Sequence, residues 1–453
     1  MNLEANEALN IALEAHRNGR YDEAAHIYHQ ILNHDPSNAN ILFLLGDLHV
    51  RLGDNGLAIN LLSNSAAVKP MPAALNALGC ACKHENFMEE AEDAWVKSVE
   101  LGETTEVYNN LASLHADSGR PEKALEYVEK SLAIEPANPN AHWNKALALL
   151  TARRWREAWP EHEFRFNPEV QKTSIRRDFG VPQWDGKPTR KLAVHGEQGI
   201  GDEIMFLSML WDAIALCDDV VVEVEPRLMD VVERSFPKVR AYANEAAMKA
   251  HESGFTAQIA LGSLGLVLRN EDSDFPRTRS YLCADPERIA YWRDKFRVAG
   301  AGPIIGVAWA GGTKTTRAYQ RTLKATDLSF IGEKAVVVSL QYGKGVQADA
   351  EAAGFKYYPE LDGTNMEEVF AAASACDVII TVAQTLVHVG GALGVPTYVL
   401  TPLYSSWRYG QRSEMLWYGD NVRLLRQHRD GDWTHPLKRA KTIVEQLCES
   451  HAK

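Results

Sequence analysis

Gly46-Asp-Leu-His-Val-Arg-Leu-Gly-Asp-Asn-Gly-Leu-Ala58 carries the pattern that decides the first third of the chain. A small residue opens it, Leu52-Gly53-Asp54 signals a turn, and a second small residue follows twelve positions after the first. The pairing recurs as Ala12/Ala24, Gly79/Ala91, Ala112/Ala124 and Ala146/Ala158, at spacings of 33 or 34 residues. Asn18-Gly19-Arg20 and Ser118-Gly119-Arg120 are turn signals of the same kind. Pro36, Pro70 and Pro136 stand where helices must stop, and Glu103 takes that place in the third unit. Apolar residues fill the helical places between. A period of this length predicts helix pairs that stack, with the small residues letting the two helices of a pair approach closely.

The repeat resembles the tetratricopeptide repeat (TPR), over four units and a fifth, Asn140 to Phe166, that runs into the next region. The expected domain is 1–166. Such stacks present a concave surface that takes peptides or protein segments. The alternative use is bracing, or homodimer formation through the TPR units. Of the net charge of −12, residues 1–165 carry −10 and the remainder −2. An acidic array excludes nucleic acid as its partner and suits neutral or basic segments.

With 453 residues the chain is too long for one core. A linker, 167–190, rich in Pro, Gly and charge, contains Pro182-Gln-Trp-Asp-Gly186. Beyond it strands alternate with helices: 191–195, 220–225 and 257–261 as strands, 202–216 and 227–235 as helices. A second set has strands at 304–309, 336–341, 378–382 and 397–400, with helices at 366–375 and 385–394. This alternation predicts two Rossmann-like parallel sheets, 191–300 and 301–453, divided near Arg297–Pro303 and facing each other across a cleft. The fold class is α + α/β.

Four stretches of that cleft carry candidate chemistry. In His195-Gly-Glu-Gln-Gly-Ile-Gly-Asp-Glu203, Gly199 and Gly201 turn the chain and a helix starts at Asp202, which is an N-cap or a working carboxylate. Trp309-Ala-Gly311-Gly312-Thr-Lys314, with Arg317 and Arg321, is a glycine loop with cations that suits a diphosphate. In the third, Gln384 and Thr385 open a helix and His388 lies one turn on. The fourth, Trp407-Arg408-Tyr-Gly410 with Trp417-Tyr418 beyond, reads as exposed aromatics and Arg able to bound a nucleotide or sugar, or as packing between domains.

Gly196-Glu-Gln-Gly-Ile-Gly-Asp202, Gly306-Val-Ala-Trp-Ala-Gly311, Arg321-Thr-Leu, Ser339-Leu-Gln341, His388-x-x-Gly-Ala-Leu-Gly-x-Pro396 and the Trp407 to Trp433 tail occur in that order. The ordered set resembles bacterial proteins that join TPR units to a GT-B glycosyltransferase domain akin to the ADP-heptose:lipopolysaccharide heptosyltransferases. The arrangement is also similar to O-GlcNAc transferase and to TPR-bearing flagellin glycosyltransferases. The resemblance implies a nucleotide-sugar donor and a protein or peptide acceptor on the TPR concave face. It implies Asp202 as general base, with Lys314 or Arg321 neutralising the leaving diphosphate. Gln384, Thr385 and His388 would hold the donor phosphates, and Gly199, Gly201, Trp309, Gly311, Gly312, Gln341, Trp407 and Arg408 would line the donor site. One departure stands out: the family usually has Asp-Thr at that last helix start, and here it is Ala383-Gln384. A non-catalytic TPR adaptor on a degenerate transferase scaffold is the alternative. An epimerase would need a third glycine after Gly199-x-Gly201, and residue 204 is Ile.

No metal cofactor is implied; the one Asp-x-Asp, Asp272-Ser-Asp274, reads as a solvated loop. Met1–Asn10 is polar and acidic, unlike a secretory signal. Val378–Leu400 is interrupted by Gln384, His388 and Pro396, so no membrane span is expected. Six scattered Cys read as reduced thiols of a cytoplasmic protein.

Overall fold

Helices α1 (Leu3–Arg17), α2 (Tyr21–His34), α3 (Ala39–Leu52), α4 (Asn55–Val68), α5 (Pro72–His84), α6 (Met88–Leu101), α7 (Thr105–Asp117), α8 (Pro121–Ile134) and α9 (Pro139–Thr151) run in sequence. They belong to a computed structural model that describes residues 3–171, 174–197, 199–275, 280–312 and 318–451. The small-residue register is what packs them. Ala12, Ala24, Ala58, Ala91, Ala112 and Ala124 are fully buried. A Cβ on Gly46 would sit 2.6 Å from Leu62, and one on Gly79 2.5 Å from the Trp95 indole. A second register accompanies the first. The hydroxyls of Ser65, Ser98 and Ser131, 33 residues apart, donate to the carbonyls of Ala39, Pro72 and Thr105, each 26 residues earlier.

The chain divides into two compact units, Met1–Ala148 and Leu149–Lys453. The last helix of the repeat pattern, α10 (Trp155–His162), therefore has its partners in the second unit, although the sequence period places it with the array. Trp159 Nε1 donates to the Arg269 carbonyl at 2.6 Å, and a Cβ on Gly265 would meet the Trp159 ring at 2.6 Å. Asp272 accepts from Trp155 Nε1 at 2.7 Å and pairs with Arg153. The Asp272–Asp274 stretch is solvent-exposed, as expected, and forms a 3₁₀ turn whose Asp272 meets α10.

The second unit contains two sheets. The first has order β3-β2-β1-β4 and is parallel throughout. Its elements are β1 (Thr189–His195), α11 (Ile200–Phe206), α12 (Leu210–Leu216), β2 (Cys217–Glu223), α13 (Met229–Ser235), β3 (Val239–Tyr242), α14 (Glu245–His251), β4 (Ala257–Ala260) and α15 (Gly265–Leu268). The short edge strand β3 is additional to the sequence expectation. The helix expected over 202–216 is broken at residues 207–209 by a 3₁₀ turn.

The second sheet has order β6-β5-β7-β8-β10-β9 and is parallel except at β9. It is built from α16 (Pro286–Arg297), β5 (Ile304–Ala308), β6 (Val336–Ser339), α17 (Val346–Ala353), α18 (Met366–Ser374), β7 (Val378–Val382), α19 (Thr385–Leu393), β8 (Thr397–Thr401), β9 (Glu414–Met415), β10 (Gly419–Arg426) and α20 (Thr434–His451). Helix α16 already belongs here. Arg288 and Trp292 donate to Glu368 of α18, and Arg293 pairs with Asp377 before β7. The division between the sheets therefore precedes Pro286 rather than falling at Arg297–Pro303. No described helix is long and apolar enough to cross a membrane.

The array is most exposed to overpacking where glycine faces a ring. Gly79→Leu should destabilise the repeat unit by about 1–3 kcal/mol. Gly56→Ala, on α4 with nothing within 4 Å of the new Cβ, should leave it unchanged or slightly more stable. Thermal melts followed by helical circular dichroism check the contrast; equal effects would contradict this packing.

Candidate active site between the two sheets

Strand β1 delivers the chain to a loop whose shape is set by close approach. A Cβ on Gly196 would lie 2.6 Å from Glu203 Oε1 and 3.1 Å from the Glu223 carbonyl. Glu197 is anchored by the buried fork of Arg165. Arg165 Nε and Nη2 donate to its two oxygens at 2.6 and 2.7 Å, and the Gly262 amide donates at 2.8 Å. Arg165 also donates to Glu163 and Ser263. Neither Arg165 nor Glu197 stands out in sequence, because their separation of 32 residues matches no helical or strand period.

Gly199 is the N-cap of α11, so Asp202 sits inside the first turn and is not the cap. Its carboxylate instead meets Arg408. The Arg408 Nε donates to Oδ1, and Nη2 donates to Oδ2 at 2.7 Å. This bidentate geometry is the strong form of an arginine–carboxylate contact. Burial opposes the Arg408 charge, and Asp202 more than restores it, so the guanidinium stays above its ordinary range.

The second sheet brings three loops to the same place. Gln384 is the N-cap of α19, and its amide donates to Thr381 Oγ1 at 3.3 Å. Gly311 lies against it: a Cβ there would be 2.5 Å from the Gln384 Cβ and 3.1 Å from the Ala383 carbonyl. Gly312 has φ +86°, where glycine is favoured. Gln341, after β6, accepts from the Trp309 and Ala310 amides at 3.2 and 3.0 Å. It thereby fixes the start of the glycine loop by engaging two of its amides. Lys314 and Arg317 lie outside the described residues. Burial pushes Arg321 down, and its neighbours include Tyr409 and Arg408.

Helices α11 and α19 meet at Gly201. A Cβ there would be 3.1 Å from His388 Cδ2 and 3.8 Å from Thr385 Oγ1. Burial pushes His388 down to about 4, so the ring is neutral at physiological pH. Its Nδ1 is 2.7 Å from the Tyr418 hydroxyl. Asp202, Arg321, His388, Thr385 and Arg408 thus converge from both sheets.

The aromatics are packed inside the second unit, as the packing alternative expects. Trp407, Tyr409, Trp417 and Tyr418 are all buried, which corrects their reading as exposed rings. Trp407 and Trp417 pack on Phe206, and Trp159 meets both edge-on. Trp309 is buried against Phe355. The β8–β9 connection that carries Arg408 is stapled by Arg426, which donates to the carbonyls of Pro402, Leu403 and Gly410. A separate groove of about 440 Å³ is lined by Arg153, Trp155, Arg156, Asn270, Asp272 and Arg412, and by none of the site residues above. Among the described residues no group of three His, Cys, Asp or Glu could hold a metal ion.

Tetratricopeptide-repeat family models match residues 15–79 and 105–138, and the chain carries these repeats. The chain is 26% identical to Protein FlbA of Caulobacter vibrioides over 509 aligned residues, covering 97% of this chain and 84% of that protein. Among solved structures, MamA is 24% identical with a TM-score of 0.34, over 37% of this chain and 93% of its own. PilF of Pseudomonas aeruginosa is 22% identical with a TM-score of 0.33, over 35% of this chain and 74% of its own.

Glu203 beside the glycine loop gives a stability signature. Burial pushes its carboxyl up to about 8, and the charges of Glu225, Glu223 and Glu197 act in the same direction, against a hydrogen bond from the Glu225 amide. The folded state keeps a proton that the unfolded chain releases above its ordinary 4.5. This contribution is complete below pH 4.5 and is lost as pH rises to 8, at about 1.4 kcal/mol per pH unit at most. Glu203→Gln should remove that slope and be more stable than the parent chain at pH 8. Urea midpoints at pH 5 and pH 8 check this; an unchanged slope in the variant would remove Glu203 as its source.

Proposed function

We propose that the chain is a metal-independent glycosyltransferase of GT-B type, moving a sugar from a nucleotide-sugar donor to a protein acceptor gathered by its TPR units. The observation that carries the reading is the convergence of Asp202 from one sheet with Arg321, Thr385, His388 and Arg408 from the other. In open α/β sheets ligands bind at the carboxyl ends of strands, and here two such ends oppose each other. The start of α19, which opens on the Gln384 cap beside Gly311, offers backbone amides suited to an anion. Arg321, which burial pushes down, lies close to Tyr409 and Arg408 and would face the donor phosphates. The start of α19 and the Thr385 hydroxyl would hold their oxygens, with Lys314 as the remaining cation. FlbA aligns across the repeats and the α/β part together, which supports one working unit.

The resemblance gives Asp202 the proton-accepting role. With both oxygens engaged by Arg408, that role requires the pair to open. As it stands, the carboxylate orients and balances charge. A scaffold reading draws on this same engagement and on Ala383-Gln384 at the helix start.

A thermal-shift series with UDP, GDP, ADP and CMP separates the readings, since a nucleotide that binds the native state raises its melting temperature. The transferase should shift with at least one and release that nucleotide from its sugar conjugate; no shift with any favours the adaptor. Asp202→Asn should lower turnover about 100-fold or more with circular dichroism unchanged. Removing residues 1–135 should abolish sugar incorporation into protein while sparing sugar-nucleotide hydrolysis. Full incorporation by the truncated chain would detach the repeats from acceptor choice.

A further inference from the structure

The guanidinium in the turn after α10 uses every donor it has. Arg165 is 0% exposed, and each of its five N–H groups meets an acceptor. Nε and one Nη2 proton go to the two oxygens of Glu197, at 2.6 and 2.7 Å. The other Nη2 proton goes to Ser263 Oγ at 2.7 Å, and Ser263 donates in turn to Glu163 at 2.6 Å. Nη1 serves the His162 carbonyl at 3.0 Å and Glu163 at 2.7 Å. The Glu197 side chain is 1% exposed and takes a third bond from the Gly262 amide at 2.8 Å. A Cβ on Gly262 would stand 2.7 Å from that same oxygen, so glycine there admits the carboxylate. Arg165 is itself fixed, since Trp159 docks α10 on Gly265 and the Arg269 carbonyl, and the Phe166 ring lies 4.1 Å from the guanidinium.

Resting on the transferase reading, we infer that Arg165 is a positioning residue: through Glu197 it sets where the glycine loop releases the chain into α11, and so where Asp202 stands. Glu197 follows Gly196, whose own space is closed by Glu203 and the Glu223 carbonyl. The loop is therefore held at its first two residues. Asp202 comes five positions after Glu197, in the first turn of α11, with its carboxylate on Arg408. Arg165, fully buried, acts only through this anchor. A displaced anchor moves the start of α11, and a shift of about 1 Å at a reacting group costs on the order of 100-fold in rate. Lysine cannot take the place, because one ammonium cannot span both Glu197 oxygens, Ser263 and Glu163. The second helix of the fifth repeat unit and the turn after it are thus working parts of the transferase, although their sequence register places them with the array.

The test uses the full chain with UDP-, GDP-, ADP- and CMP-sugars as donors, and rates are taken per folded molecule. Arg165→Lys and the isosteric Glu197→Gln should each lose about 10- to 100-fold in kcat, with donor KM within about twofold of the parent. The proposed donor contacts lie on the second sheet, so the rise in melting temperature with nucleotide should be kept. The double variant should lose no more than the worse single one, because both changes break one contact. The deciding arm repeats both substitutions in Asp202→Asn, where the group being placed no longer works. There neither should lower the remaining rate by more than about twofold. A purely structural role would lower it alike in both backgrounds. Parental kcat in Glu197→Gln, or an equal fold-loss with and without Asp202, overturns the inference while leaving the transferase reading intact. Should Arg165→Lys not fold, Glu197→Gln decides by itself. Absence of nucleotide release by the parent from all four donors overturns the transferase reading and this inference with it.

Discussion

Arg408 and Asp202 meet where the two sheets of the second unit face each other, and the surrounding parts are arranged to make that meeting possible. A partly buried ion pair adds little net stability, because desolvation takes back most of the attraction, but it is intolerant of misplacement. Asp202 is delivered by a loop that only glycine can form at position 196. Arg408 is delivered by a connection whose carbonyls are held from beneath by Arg426 and whose rings are sunk among Trp159, Phe206 and Trp417. The pair fixes α11 against the β8–β9 connection, and with them the distance between the strand ends.

Buried guanidiniums do the same work in the supporting layers. Arg165 spans Glu163, Glu197 and Ser263 and so ties the 3₁₀ turn after α10 to the glycine loop. Arg269 reaches Asp212 at 2.6 Å and holds α12 to the end of α15. Arg426 finds carbonyl and hydroxyl oxygens, and burial pushes it down accordingly. In each case a planar fork with five donors satisfies several backbone or carboxylate oxygens at once, which a lysine cannot do.

The repeats were legible because their constraint is periodic and local. A helix pair that packs at one small residue must do so again 33 or 34 positions on, and Gly46, Gly79 and the buried alanines obey this. The serine register at 65, 98 and 131 has the same period and was missed, because an isolated serine in a helix reads as neutral until its acceptor is seen. In the α/β part the strands announced themselves by apolar runs, and Asp202, Thr385 and His388 by the loops around them. Their pairings did not. Arg408 stood out as a donor-site candidate but not as the partner of Asp202, 206 residues away, and Tyr281, whose hydroxyl donates to the Ile204 carbonyl, carried no signal at all. Trp407 and Trp417 misled for a related reason: a tryptophan beside an arginine reads alike whether the ring faces a ligand or a neighbouring helix.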